Sequence, residues 1–383
     1  MRGAENLLTR ACDLYDADDP GRLVALSDLA DSIVDAGDLT RADTLLEHVI
    51  VQAHASGNEP LATHARLRRV EARVHTGRAH ESDVIREAET AIRFFSIGDD
   101  HRGLAHAWAL VGRARFWLGA ARESEEAYEH AVESARRSGD LRRETETLAW
   151  WIGAVAHGPA PASAGITFCD AVLARGLNDP LIDIFALEKR GLLEAMQGRF
   201  EAARASVSGA QRIADELDLQ VRRGMCREYA GRVELLAGDM VAAEHELRAG
   251  YDLLGSLGES AFRASIGGYL AEALYQQDRL AEGAAMLEGE DPETDALRGK
   301  ILARSGDLER GERIARRAVE SLKTSDYLDA RAKASMDLAA VLGLAQRFTE
   351  AADAITDAVR LYEQKGNTVS AEAARDSLRA QTH

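Results

Sequence analysis

Histidines, cysteines and paired carboxylates are the residues of this chain that could do chemistry, and their spacing argues against most of it. Seven of the eleven histidines fall between His48 and His106, but the pairs His75/His80 and His101/His106 are five apart. Two ligands on one helical face want a spacing of three or four, so scattered surface histidines are expected. Cys12, Cys169 and Cys226 are far apart and lack a C-x-x-C spacing, which points to small buried hydrophobes rather than a disulfide or zinc site. "EHEL" around His245 has one histidine where a zinc-protease helix needs two, and Gly299-Lys300 is followed by Ile301 where a phosphate-binding loop needs Ser or Thr. Glu125/Glu126 and Glu144/Glu146 lie on helical faces that also carry arginines, and they are expected to be solvated. These readings predict no enzyme activity, no cofactor and no metal.

Composition narrows the class. The 383 residues are 46% hydrophobic but only 5% aromatic, with six prolines, the balance of an all-helical protein. A net charge of −17 argues against nucleic acid and anionic membrane as partners, because phosphate contacts need a basic surface. The N-terminus has no short apolar core followed by small residues, and no run of about 18 apolar residues occurs anywhere, so a cytoplasmic protein is expected.

The elements that must position any site repeat. Gly37, Gly77, Gly119, Gly158, Gly198, Gly238, Asp278, Gly306 and Gln346 each end a helical run, at a spacing near 40 that contracts once, between Asp278 and Gly306. Five residues after them stand Ala42, Ser82, Ser124, Ser163, Ala203, Ala243, Gly283, Gly311 and Ala351, all small. Seven residues before them stand Ala30, Val70, Gly112, Trp151, Gly191, Gly231, Ala271, Gly299 and Ala339. Closely crossing helices need little bulk at the contact, so the unit reads as an antiparallel helix pair, with Gly112, Gly191, Gly231, Ala203 and Ala243 as structural small positions. Pro20, Pro60, Pro180 and Pro292 follow acidic residues and mark the starts of first helices. Stacked pairs bury a continuous core, which predicts a superhelix.

"GRVELLAGDMVAAEHELRAG" and "GLLEAMQGRFEAARASVSGA" resemble the tetratricopeptide repeat, in a long-helix form of about 40 residues. That resemblance implies an all-α, right-handed superhelical solenoid whose first helices line a concave binding surface. Over about residues 20–380 the chain also resembles the C-terminal repeat region of actinobacterial regulators that carry cyclase-type and AAA or STAND-type ATPase domains. "LYEQKGN" near the end is the most specific block of that resemblance, while the upstream catalytic domains have no counterpart here. The expected organisation is a partial-repeat or capping helix at 1–19, a repeat array at 20–366, irregular at 157–166 and shortened at 282–298, and a capping helix and tail at 367–383. Residues 5–16 place Leu8, Cys12 and Tyr15 on one stripe and read as a helix without a mate.

Carrying the concave geometry across, the partner-binding residues are expected to be His106, Arg113, Trp117, Glu188, Met196, Glu228, Arg232, Glu272 and Tyr275. Trp150 and Trp151 border the irregular segment, where Trp151 stands at a small-residue position and either widens the crossing into a groove or fills the space it makes. The function read from these features is a non-enzymatic scaffold for a protein or peptide partner in regulation or signal transduction. Two alternatives stand beside it: the sensor portion of a cyclase or STAND-type regulator, and a small-molecule or peptide receptor.

Overall fold

The computed structural model describes residues 2–16, 19–289 and 291–381, and the described residues form twenty α-helices without a strand. In chain order the first eight are α1 (Arg2–Leu14), α2 (Pro20–Asp35), α3 (Leu39–Ala55), α4 (Glu59–His75), α5 (Glu81–Gly98), α6 (His101–Trp117), α7 (Ala121–Ser138) and α8 (Leu141–His157). The next six are α9 (Ala162–Ala174), α10 (Pro180–Met196), α11 (Phe200–Glu216), α12 (Gln220–Ala237), α13 (Met240–Ser256) and α14 (Ser260–Gln276). The last six are α15 (Leu280–Met286), α16 (Pro292–Arg304), α17 (Leu308–Leu322), α18 (Leu328–Leu344), α19 (Phe348–Lys365) and α20 (Thr368–Gln381). They fall into two compact units, one of Met1–Leu118 with Glu123–Trp150, the other of Gly119–Arg122 with Trp151–His383.

Local signals explain the helix ends. Asp19, Asn58, Asp179 and Asp291 each accept a hydrogen bond from a first-turn amide just before a helix that carries proline at its start. Eight of the nine turn positions have positive φ, including Asp278 at 63° and Gln346 at 59°. Gly158 is the exception: Pro159 and Pro161 lengthen that turn, and α9 starts only at Ala162. The contraction after Asp278 is taken up by α15, only seven residues long, and by a 13-residue α16.

Within each pair the helices cross closely. Ser124 donates its hydroxyl to the Gly112 carbonyl at 2.7 Å, and Tyr128 packs over Gly112. A Cβ at Gly191 would lie 2.7 Å from Val207 Cγ2 and 3.0 Å from the Ala203 carbonyl oxygen, and Ala203 and Ala243 are fully buried. Two expected small positions are not at the contact: Ser82 and Ser163 are exposed. Both follow lengthened turns, which shift the register, and Val84 and Gly165 are buried instead, the latter against Leu193. A second correction concerns α1, which has a mate. Leu8 and Cys12 pack against α2 in a cluster with Ala25, Leu29 and Ile33, while Tyr15 lies beyond the end of the helix.

First helices also touch first helices, α2–α4–α6 in the first unit and α10–α12–α14–α16–α18 in the second. They form an inner layer, with the second helices outside it. The second unit then closes on itself. The Lys365 ammonium, fully buried, donates to the carbonyls of Val155 (3.3 Å), Gly158 (2.8 Å) and Ala160 (2.9 Å). Thr368 Oγ1 donates to the Met196 carbonyl at 3.3 Å, and Asp326 accepts from the amides of Ala121 (2.6 Å) and Arg122 (2.9 Å). Asn367, also buried, donates to Asp329 at 2.6 Å and caps α20 through the Ser370 amide. The "LYEQKGN" block is therefore a structural clasp in this chain.

Gly191→Val would drive two methyl groups into Val207 and the Ala203 carbonyl, and is expected to lower stability by about 2 kcal/mol or more in denaturant unfolding. Gly139→Ala, at a positive-φ turn with nothing nearby, should cost only about 1 kcal/mol. Equal losses would mean that the crossing is not closely packed.

Candidate functional site

Closure puts the inner face of the second unit among other side chains, so its charges must find partners there. Glu188 on α10 is fully buried and accepts from Lys189 Nζ (3.0 Å), Arg222 Nη2 (2.6 Å) and the Cys226 thiol (3.3 Å). Burial alone would raise its pKa, but the Lys189 and Arg222 charges hold it below the usual carboxylate range. The Lys189 ammonium stands 4.3 Å over the Tyr229 ring, and the Arg222 guanidinium 4.1 Å over Phe185. One helix on, Glu228 accepts from Arg232 Nη1 (3.4 Å) and from Ser265 (3.3 Å); these contacts are long, and burial pushes the Glu228 carboxyl up.

A third cluster joins α14, α16 and α18. Lys300 Nζ donates to Glu272 (3.0 Å) and Asp337 (2.6 Å), and Lys333 donates to the same two carboxylates at 3.3 and 3.0 Å. Tyr275 lies under this network, 4.4 Å from Lys300 and 5.0 Å from the Arg304 guanidinium. Burial opposes ionisation of Glu272, yet the two lysines hold its carboxyl far below the usual range. Glu293 differs, having no hydrogen-bond or ion-pair partner among the described residues. Burial first and Asp291 second push its carboxyl up to about 7, against the opposing fields of Arg232 and Lys333.

The first unit has its own centre. Glu71 on α4 accepts from Arg113 Nη2 (2.6 Å), His106 Nε2 (3.3 Å) and Arg68 Nη1 (3.3 Å). Burial would raise Glu71, but the His106 hydrogen bond and the Arg113 charge hold it well below its ordinary value. His106 itself is pushed down to about 3, chiefly by burial, and so is neutral at physiological pH. Farther along the same helices Trp117, 63% exposed, meets Trp150 edge-on at 6.1 Å, and Phe116 touches both. Trp117 lies four residues beyond Arg113, and Trp150 seven beyond Arg143, so each shares a helical face with an arginine. In the second unit Trp151 is half-buried against Phe168 at 4.9 Å, its indole N–H buried without a hydrogen-bond partner among the described residues.

The residues anticipated from sequence are thus distributed unevenly. His106 and Arg113 share Glu71, Glu228 pairs with Arg232, Trp117 meets Trp150, and Glu272 and Tyr275 flank Lys300. Met196 is buried in an apolar cluster with Leu193, Val207 and Val233. Two readings need correcting: His106 is buried rather than a surface histidine, and Glu144 is buried against Arg136 at 2.7 Å rather than solvated. The His75 side chain lies outside the described residues. Sequence reasoning passed over Glu71, Lys189, Arg222, Lys300, Lys333 and Asp337. The available signal was a charged residue flanked by buried apolar positions on a first helix, as Lys300 is by Leu297 and Ile301.

Among the described residues no group of three or more His, Cys, Asp or Glu could hold a metal ion, and no helix is long and apolar enough to cross a membrane. A shallow cleft of about 250 Å³ at Pro60, Phe94, Phe95 and Ile97 in the first unit is smaller than most small-molecule sites.

No family model and no curated protein matches the chain. Among solved structures it is similar to the apo form of RapI, with a TM-score of 0.58 and 10% identity over 89% of this chain and 98% of that one. It is similar to the apo form of the quorum sensor NprR from B. thuringiensis, with a TM-score of 0.58 and 11% identity over 94% and 92%. A Rap protein complexed with competence and sporulation factor matches with a TM-score of 0.50 and 13% identity over 94% and 98%. At these identities the likeness carries the fold: the chain is an all-α, TPR-like helical-repeat protein.

Glu71, Glu188 and Glu272 have folded pKa values below their unfolded ones. Their contribution to stability is therefore complete above about pH 5 and is lost as pH falls through the usual carboxylate range toward the depressed values. Lys300→Ala leaves Glu272 and Asp337 short of a cation, and should cost about 3–5 kcal/mol at pH 7, with a smaller loss at pH 3. Denaturant melts at the two pH values check this, and a pH-independent loss would mean that the lysine acts by packing alone. Glu293 has the opposite sign: its ionisation weakens the fold as pH rises from about 4 to 7. Glu293→Gln should therefore stabilise the protein at pH 8 by on the order of 1 kcal/mol, after discounting for partial exposure, and have little effect at pH 4.

Proposed function

We propose that this chain is a non-enzymatic helical-repeat scaffold that binds a protein or peptide partner on the inner faces of its first helices, in regulation or signal transduction. The observation that carries the reading is the inner layer itself. In the first unit it holds the Arg113–Glu71 pair on helices that also carry the exposed Trp117, and in the second it holds fixed cations and carboxylates, residue types that anchor partners at interfaces. In the first unit Trp117 and Trp150 supply apolar anchorage next to Arg113; in the second Arg232, Glu272 and Tyr275 supply polar recognition. Support also comes from the neighbours in fold, one a Rap protein complexed with competence and sporulation factor and another the quorum sensor NprR. The net charge of −17 favours neither nucleic acid nor membrane as partner, and a cytoplasmic location fits the same composition.

Within this reading the array runs over 20–366, between an N-terminal element at 1–19 and a C-terminal cap at 367–383. A narrower form makes the chain the sensor portion of a cyclase or STAND-type ATPase regulator, as the sequence resemblance implies. Its test is whether a separately expressed ATPase or cyclase binds the chain in an ATP-dependent way.

The general reading is tested by cross-linking mass spectrometry on the full-length chain captured from its native lysate. Cross-links from the partner should fall on α4, α6, α8, α10, α12 and α14, and Trp117→Ala with Trp150→Ala should weaken capture at least about tenfold while leaving the helical circular dichroism unchanged. Cross-links confined to the outer helices, or capture indifferent to both substitutions, would refute it.

A further inference from the structure

We propose that the second unit carries a binding site for an oxyanion, a carboxylate or phosphate group of its ligand, formed by Arg232 and Lys189. This inference rests on the inner layer being a recognition surface, and adds the chemistry of one group that it recognises.

Arg232 on α12 is more than nine-tenths buried, and its guanidinium is held 4.5 Å over the Tyr269 ring and 5.2 Å from that of Tyr229. A guanidinium has five N–H donors, yet the one hydrogen bond the structure gives Arg232 is the long 3.4 Å contact to Glu228. The planar fork is thus fixed in direction by two aromatic rings and left largely unsatisfied, the form in which arginine takes a carboxylate or phosphate through two parallel bonds.

Lys189 shares the Tyr229 ring with Arg232, 4.3 Å above it. It donates to Glu188 at 3.0 Å, a carboxylate that it shares with Arg222 and Cys226. His157 ends α8 and has no hydrogen-bond partner for either ring nitrogen among the described residues. Burial first, then the charges of Arg232, Lys189 and Lys365, hold it well below its ordinary pKa, so its ring senses charge at the two cations. Lys365, turned onto backbone carbonyls, adds to this field. The nearby acids do not supply the missing acceptor. Glu228 gives Arg232 only its one long contact, Asp329 is hydrogen-bonded by Asn367, and Glu293 has no hydrogen bond to Arg232 among the described residues.

The probes are inorganic phosphate and N-acetylglycine, with N-acetylglycine amide as the uncharged control. Each is titrated into the full chain at constant ionic strength while the His157 imidazole resonances are followed by NMR. Saturable shifts with at least one of the two anions, none with the amide, and affinity weakened at least about tenfold in Arg232→Met are expected. Saturation by phosphate alone would identify a phosphorylated ligand, and saturation by the acetylated amino acid alone a free carboxylate; either supports the site. Lys189→Met gives the same reading should Arg232→Met fail to fold. Shifts that rise linearly with both anions, or that survive both substitutions, overturn the proposal. Partner cross-links that persist on the inner helices in that case would leave the scaffold reading standing and remove the oxyanion site alone.

Discussion

The second unit depends on one buried ammonium. Lys365 leaves its helix at the C-terminal turn and satisfies three carbonyl oxygens at and just beyond the end of α8, where the helix dipole concentrates negative potential. Residues more than 200 positions apart are joined there through backbone carbonyls. A stack of helix pairs would otherwise leave its inner face open to water along its length. Here α20 of the last pair returns to α10, and α10, α12, α14, α16 and α18 each pack against the next.

That enclosure explains why the inner layer is ionic and yet almost completely paired. A charge removed from water is tolerated only with a counter-charge and good hydrogen bonds, and Glu188, Glu272 and Asp337 each have at least two donors. Aromatic rings complete the arrangement. Phe185, Tyr229, Tyr269 and Tyr275 each lie beneath a cation and orient its lysine or arginine. The first unit uses the same logic more sparingly, with Glu71 as its hub and the Trp117–Trp150 pair left exposed. Two groups are less well served: Arg232 has one long contact, to Glu228, and Glu293, its pKa raised, has no partner among the described residues.

The repeat was legible because it is local. Turn residues with positive φ, proline after an acidic cap, and small residues at fixed distances from each turn follow from backbone sterics within about twenty residues, and the helix boundaries agree with them. Where the rule slipped, at Ser82 and Ser163, a lengthened turn had moved the register, which spacing counted from the glycine could not reveal. The partners of the site residues were less legible. Arg113 and His106 were anticipated, but not Glu71, which lies about 35 to 42 residues upstream and meets them only when α4 packs beside α6. His106 and Glu144 were read as surface groups because a charged helical face looks the same in sequence whether water or another first helix covers it.

The sequence by itself determined the helices, their pairing and the class of fold, since each depends on propensities and contacts between chain neighbours. Only the tertiary structure decided which charges are buried, which carboxylate each cation meets, and that "LYEQKGN" closes the second unit. Those outcomes depend on the angle at which successive pairs stack. Small rotations add up over several repeats before residue 365 reaches residue 158, and no single stretch of sequence encodes their sum.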